Sequence, residues 1–210
     1  MARFDDPRTE LTPTAQRVLA GARQVVLDEG FASLTLSRIS RVSGENVSAV
    51  RYYFGSKAGL VKALLDTIIY EVVLEVHEAP DAVVTKRPEA QLVQYEAEMS
   101  RPSEALRIWY DLLPAAVRDA ELLARVHESY KTFFALHLEQ VADSIGVEAP
   151  GREARGLAAL LSALSDGIAM QAIVAPEHFD MKQVLATFEV LLEHGLPALM
   201  EGPSSDRPVE

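Results

Sequence analysis

Capping residues and glycines divide the first part of the chain into short helices, and this punctuation constrains the fold more than any other feature. Thr12-Pro13 reads as an N-cap followed by proline at the first helical position. Ala15, Val18, Ala22, Val25 and Val26 recur at helical spacing, and Gly30 stands where a left-handed C-cap closes that helix. Thr35 can cap a second helix, Leu36–Ser43, with Ile39 and Val42 expected to face inward. Gly44-Glu45 makes the turn, Asn46 caps a third helix, Val47–Phe54, and Gly55 ends it. Ser56 then opens a fourth, long helix reaching about His77.

Further on, Pro80 and Pro88 mark a loop over 79–90, and helical patterns follow near 89–99, 103–118, 120–145, 152–174 and 180–200. No run alternates with period two long enough for a sheet, so the expected fold is all-α. The expected organisation is a mobile tail at 1–11 and a three-helix head at 12–57 that forms a helix-turn-helix DNA-binding domain. A helical ligand-binding and dimerisation domain would follow at 58–200, with a disordered tail at 201–210.

Several function classes have no footing in the residues. Cysteine is absent, which removes disulfides, thiolate zinc sites and cysteine nucleophiles and fits a cytoplasmic location. Asp5, Asp6 and Glu10 sit where a secretory signal needs apolar residues. The apolar stretch near Ile168–Ala175 is short and interrupted by Gln171, so no membrane span is expected. The five histidines, His77, His127, His137, His178 and His194, lack metal-ligand spacing. No phosphate-binding glycine loop, nucleophile elbow or S-x-x-K motif is present. The expectation is therefore no catalytic residue, no metal and no cofactor. A helical enzyme is the remote alternative, and a helical interaction protein without DNA binding is another.

The net charge of −11 argues at first against nucleic acid, but the distribution reverses the argument. Residues 1–57 hold eight Lys and Arg against six Asp and Glu, so the acidic excess lies entirely in the remainder. A cationic end on an acidic body is the result. On the third helix, Val50, Tyr53 and Phe54 share one face, expected to dock on the first helix. Ser48, Arg51 and Tyr52 share the opposite face. Their hydroxyls and guanidinium can reach base edges or phosphates, and arginine's fork matches the two guanine acceptors. Lys57 starts the fourth helix, where its ammonium and free backbone N–H groups can hold a phosphate.

The stretch Thr35–Leu64, TLSRISRVSGENVSAVRYYFGSKAGLVKAL, resembles the helix-turn-helix signature of the TetR family of regulators. Ile39, Gly44, Val50, Tyr53, Phe54, Ser56, Lys57 and Leu60 carry the resemblance. It implies a DNA-reading third helix, here Val47, Ser48, Arg51, Tyr52 and Tyr53, with Lys57 on phosphate and Thr35 and Ser37 near the backbone. Two positions depart from the pattern: Glu45 stands where an apolar residue is usual, and Arg51 where an aromatic is frequent.

In the body, Ala158, Ser162, Ser165, Ala169 and Ala172 form a stripe of small residues with Leu157, Leu161, Leu164 and Ile168 beside it. Leu185, Phe188, Leu192, Leu196 and Leu199 line the last helix. A four-helix homodimer interface through 152–174 and 180–200 is expected, as the resemblance also implies. Tyr95, Met99, Trp109, Tyr130, Phe133, Phe134 and His137 are the expected effector-binding residues, with Val126, Tyr130, Phe133, His137 and Val141 forming one inward stripe. The functional expectation is a repressor released from a palindromic double-stranded operator by a small-molecule effector. A TetR-like activator or a ligand-independent regulator is the alternative.

Overall fold

A computed structural model describes residues 6–77 and 88–200, apart from the side chains of residues 73–77, Met99 and Met200. The expected loop at 79–90 and tail at 201–210 fall almost wholly outside the described residues. Among the described residues there are nine α-helices and no strand. The helices are α1 (Pro13–Glu29), α2 (Leu36–Ser43), α3 (Val47–Phe54), α4 (Lys57–His77) and α5 (Pro88–Met99). They continue with α6 (Glu104–Ala116), α7 (Ala120–Ile145), α8 (Arg152–Val174) and α9 (Met181–Met200).

The caps read from the sequence are made. Thr12 Oγ1 accepts from Ala15 N at 3.3 Å, Thr35 Oγ1 from Arg38 N at 3.3 Å, and Asn46 Oδ1 from Ala49 N at 2.8 Å. Each satisfies one of the donors a helix start leaves open. Ser56 Oγ accepts from Gly59 N at 3.1 Å, although α4 starts only one residue later. Gly44 takes the left-handed conformation, φ 73°, and turns α2 into α3.

The chain forms two compact units. The first holds residues up to His77 together with Pro102–Ser129; the second holds Glu78–Arg101 and Tyr130 onward. In the first, α1 packs against α2, α3, α4 and α6. Val18, Ala22, Leu34, Ile39, Val50, Leu60 and Leu65 have no exposure and form its core. Two expectations about facing are corrected here. Val42 is 41% exposed rather than inward, and Tyr53 is 37% exposed, set edge-to-face on Tyr52 with ring centroids 4.9 Å apart. Each of these eight-residue helices buries one side chain fully, Ile39 on α2 and Val50 on α3, and leaves the position one turn on partly open. Residues 6–11, expected as part of a mobile tail, are tied down. Arg8 bonds Asp6 at 2.9 Å and Glu71 of α4 at 3.1 Å, and Gln16 Nε2 donates to Arg8 O at 3.0 Å. The Arg8 guanidinium holds the Asp6 carboxyl below its ordinary value.

In the second unit, α5 packs against α8 and α9, and α8 against α9. Leu92, Val141, Leu157, Leu161, Phe188 and Leu192 are among its core residues. By length and composition α8 could cross a membrane. Within this unit it buries one face, Ala154, Leu157, Ala158, Leu161, Ser165, Ile168 and Ala169.

Candidate nucleic-acid interface and effector site

The head builds its outer surface from α2, α3 and the first turn of α4. Thr35, Ser37, Ser48, Arg51, Tyr52, Tyr53 and Lys57 are exposed, and Val47 is half-buried. Tyr52 is the extreme case, 81% exposed on a helix whose opposite face buries Val50 completely. An aromatic ring held in water, beside a guanidinium and a hydroxyl, is the composition of a surface that reads a partner. The Thr35 hydroxyl already accepts the Arg38 N–H, which leaves its own O–H to donate. Lys57 Nζ lies 5.7 Å from the centre of the Phe31 ring, a cation–π distance.

Partly exposed ion pairs link the elements of the head. Glu45, at the turn, receives Arg17 of α1, Nη2 to Oε1 at 2.7 Å. The apolar contact usual at that turn is thus replaced by a charged one, which sequence reading did not foresee. Glu29 at the end of α1 takes Arg38 at 2.7 Å and Arg41 at 3.6 Å. Beneath Lys57 is a cavity of about 590 Å³ bounded by Phe31, Ala58, Val61, Leu122 and Arg125, also unforeseen.

The residues expected around an effector divide between the units. Trp109 belongs to the first, where it is 2% exposed in the core. Tyr95, Tyr130, Phe133, Phe134 and His137 belong to the second; Met99 lies on α5, its side chain outside the described residues. The polar centre of the second unit is a cluster in which sequence reading named Tyr95, Phe133 and His137 as ligand residues but neither Glu96 nor Ser165. Glu96 of α5 is completely buried, and its Oε2 accepts from Ser165 Oγ of α8 at 2.6 Å. Ser165 Oγ is 3.0 Å from His137 Nε2, and His137 Nδ1 is 2.8 Å from the Phe133 carbonyl oxygen. Glu96 Oε1 is 3.2 Å from His137 Nε2 but makes no hydrogen bond, because the imidazole nitrogen is aligned on Ser165 instead. The rings of Tyr95 and His137 meet edge-on at 5.2 Å. Burial first, then Glu96 and Glu139, push the Tyr95 hydroxyl above its ordinary value, and its oxygen is buried without a hydrogen bond. The signal that could have found Glu96 is its helical spacing from Leu92 of α5 and from Ser100 just beyond that helix, a carboxylate between buried positions.

The small-residue stripe of α8 is also corrected. Ala158, Ser165 and Ala169 are buried inside the protomer, and Ser162 and Ala172 are half-buried. The apolar surface left open lies elsewhere on these helices: Leu160 at 59%, Val174 at 71%, Val190 at 52% and Leu191 at 65% exposed.

Comparison with known proteins places these features. Residues 18–64 match the family of bacterial regulatory proteins, tetR family, and residues 90–197 match the BetI-type transcriptional repressor, C-terminal family. HTH-type transcriptional regulator BetI 2 of Chromohalobacter salexigens is 24% identical over 179 residues, covering 83% of this chain and 84% of its own. A transcriptional regulator from Rhodococcus sp. Rha1 has the same fold, with TM-score 0.69 at 18% identity over 88% of this chain and 96% of that one. So does one from Saccharomonospora viridis in complex with choline, with TM-score 0.68 at 16% identity over 86% and 96% of the two chains. With the C-terminal match spanning more than half of the sequence and the N-terminal match covering α2 and α3, the chain belongs to the tetR family of bacterial regulatory proteins, with a BetI-type C-terminal domain, and is a DNA-binding transcriptional repressor.

Proposed function

We propose that this repressor works in the cytoplasm as a homodimer on a palindromic operator, and that a small organic cation bound in the second unit releases it. The observation that carries the effector class is Glu96: a carboxylate with no exposure and one oxygen lacking a hydrogen bond. A buried charge of that kind is costly unless a positive group faces it. Tyr95 and His137 supply aromatic edges and faces beside it, as sites for quaternary ammonium groups do. The choline complex of the Saccharomonospora protein supports the same class. Ser165, His137 and Glu96 do not make a hydrolytic relay, since the carboxylate bonds the serine and the imidazole Nδ1 faces a carbonyl. We read the cluster as a binding site.

The DNA-reading residues in this proposal are Ser48, Arg51, Tyr52 and Tyr53, with Val47 alongside and Thr35, Ser37 and Lys57 on the phosphates. A twofold operator requires a twofold protein. The exposed apolar residues of α8 and α9 are the surface for it. One helix belongs to both units: α7 carries His137 in the second and, in the first, Arg125, ion-paired with Asp66 of α4. A tenfold loss of operator affinity needs about 1.4 kcal/mol of preference for the released state.

The test is operator affinity by fluorescence anisotropy with and without choline. Choline should weaken the wild-type complex and leave a Glu96→Gln complex unchanged. Equal operator affinity at all choline concentrations would overturn the effector class.

A further inference from the structure

The cavity beneath Lys57 lies wholly within the first unit, and none of the residues expected around an effector lines it. Its volume of about 590 Å³ suits a small molecule. Phe31, which follows α1, and Val61 of α4 are 8% and 5% exposed at its floor. Ala115 of α6 and Leu122 of α7 are half-buried around it, and Lys57 and Ala58 of α4 are exposed at its mouth. Most of the charged groups that line it are already committed. Asp119 Oδ1 accepts from the Glu121 and Leu122 N–H groups at 3.0 and 3.1 Å, closing the start of α7. Lys62, at 3.2 Å, and Arg125 both pair with Asp66, and Glu128 has an interaction of its own. Lys57 differs. Among the described residues its side chain makes no hydrogen bond or ion pair, and its ammonium leans on the Phe31 ring at 5.7 Å. Glu121 is exposed and does not pair with it.

We propose that this cavity binds an amphipathic anion, a carboxylate on a medium-length hydrocarbon body, and that the anion draws Lys57 away from the operator. The inference rests on the reading of Lys57 as a phosphate contact, and is independent of the cation site in the second unit. The hydrocarbon covers Phe31, Val61 and Leu122, and removing that apolar surface from water is what favours entry. The carboxylate stays at the mouth, still solvated, so it carries no burial cost. There Lys57 is the one lining cation without a carboxylate partner. A neutral apolar molecule would leave that ammonium unused, and a cation would be repelled by it. Glu121 opposes the ligand's charge and limits the affinity. Ligand carboxylate and operator phosphate then compete for a single ammonium, with no change in the second unit required. By reciprocity the operator weakens the ligand by the same factor as the ligand weakens the operator.

The experiment is calorimetry of decanoate binding to the full-length protein, below the concentration at which decanoate forms micelles, followed by operator titrations at several salt concentrations. Lys57→Met should weaken decanoate by up to about fivefold, the size of an exposed ion pair, and Glu121→Gln should strengthen it. The two changes are at exposed positions and act in opposite directions, so loss of folding cannot imitate the pair. Leu122→Trp, which fills the cavity, should abolish binding. Saturating decanoate should weaken the wild-type operator complex and lower its salt slope by about one, as loss of one phosphate contact does. Acetate at the same ionic strength should do neither, and the Lys57→Met complex should respond to neither. No decanoate binding, or equal binding by wild-type, Lys57→Met and Glu121→Gln proteins, would overturn the site. Binding that follows Lys57 and Glu121 but leaves the operator complex unchanged would overturn the competition. A salt slope that Lys57→Met leaves unchanged without decanoate would overturn the phosphate reading and the competition with it.

Discussion

The Asp111 carboxylate, on α6, accepts a hydrogen bond from the backbone N–H of Phe31, at the joint between α1 and the helix-turn-helix. That joint is a tight one, with Gly30 at φ 81° and a single 3-10 turn at Phe31–Ser33. Without Asp111 the N–H of a buried residue loses its partner. Asp111→Ala should cost about 1–3 kcal/mol, and Asp111→Asn less, because the amide oxygen still accepts. Urea unfolding of the two variants decides this. Equal stability of both variants and wild type would show that the bond does not hold the head.

Gly21 sets the approach of α1 to α2. A Cβ there would meet Ser43 Cβ at 2.7 Å and Ser43 Cα at 3.0 Å, and the second of these is backbone that cannot swing aside. Gly21→Ala should therefore destabilise the head by about 1–3 kcal/mol. It should also lower operator affinity, since α2 carries α3 with it. Thermal unfolding and DNA binding of the variant should change together.

Arg51 and Lys57 should separate in DNA binding. Arg51→Ala should weaken the specific site by about 1–3 kcal/mol and relax the preference at one position per half-site. Lys57→Ala should weaken all sequences alike and reduce the salt slope by about one. Titrations against specific and unrelated duplexes at several salt concentrations read both effects.

The dimer proposal moves with the corrected surface. Ala169 is 1% exposed within the protomer, so Ala169→Glu buries a charge in its own core and should unfold the second unit. Leu191 is 65% exposed, and Leu191→Glu should leave the protomer folded but separate the dimer. Sedimentation and circular dichroism distinguish the cases. A folded, dimeric Leu191→Glu protein would place the interface away from this part of α9.

What the sequence made legible is what local chemistry determines. The bounds of α2 and α3 follow from Thr35, Gly44, Asn46 and Gly55, each acting within four residues of itself, and the structure has them where the caps place them. The exposed face of α3 could be read because helical spacing alone sorts Ser48, Arg51 and Tyr52 from Val50. Contacts between distant segments were out of reach. Arg17 and Glu45 are 28 positions apart, and Ser165 and Glu96 are 69 apart. Nothing in either neighbourhood names its partner. The stripe of small residues on α8 was visible, but whether it closed on its own chain or on a second one depended on what α5 and α7 brought to it. Glu96 answers that for Ser165, and by sequence alone Glu96 is one more acid in an acidic body.

The central claim is sequence-specific DNA binding through α3 by a twofold protein. Selection of binding sites from random duplex DNA, with wild-type and Arg51→Ala proteins in parallel, tests it most directly. The account predicts that wild-type protein enriches a palindrome with half-sites about 34–36 Å apart, or a multiple of that, and that Arg51→Ala loses preference at symmetric positions in both halves. No enriched sequence, an asymmetric one, or the same palindrome with unchanged preference from the Arg51→Ala protein would contradict it.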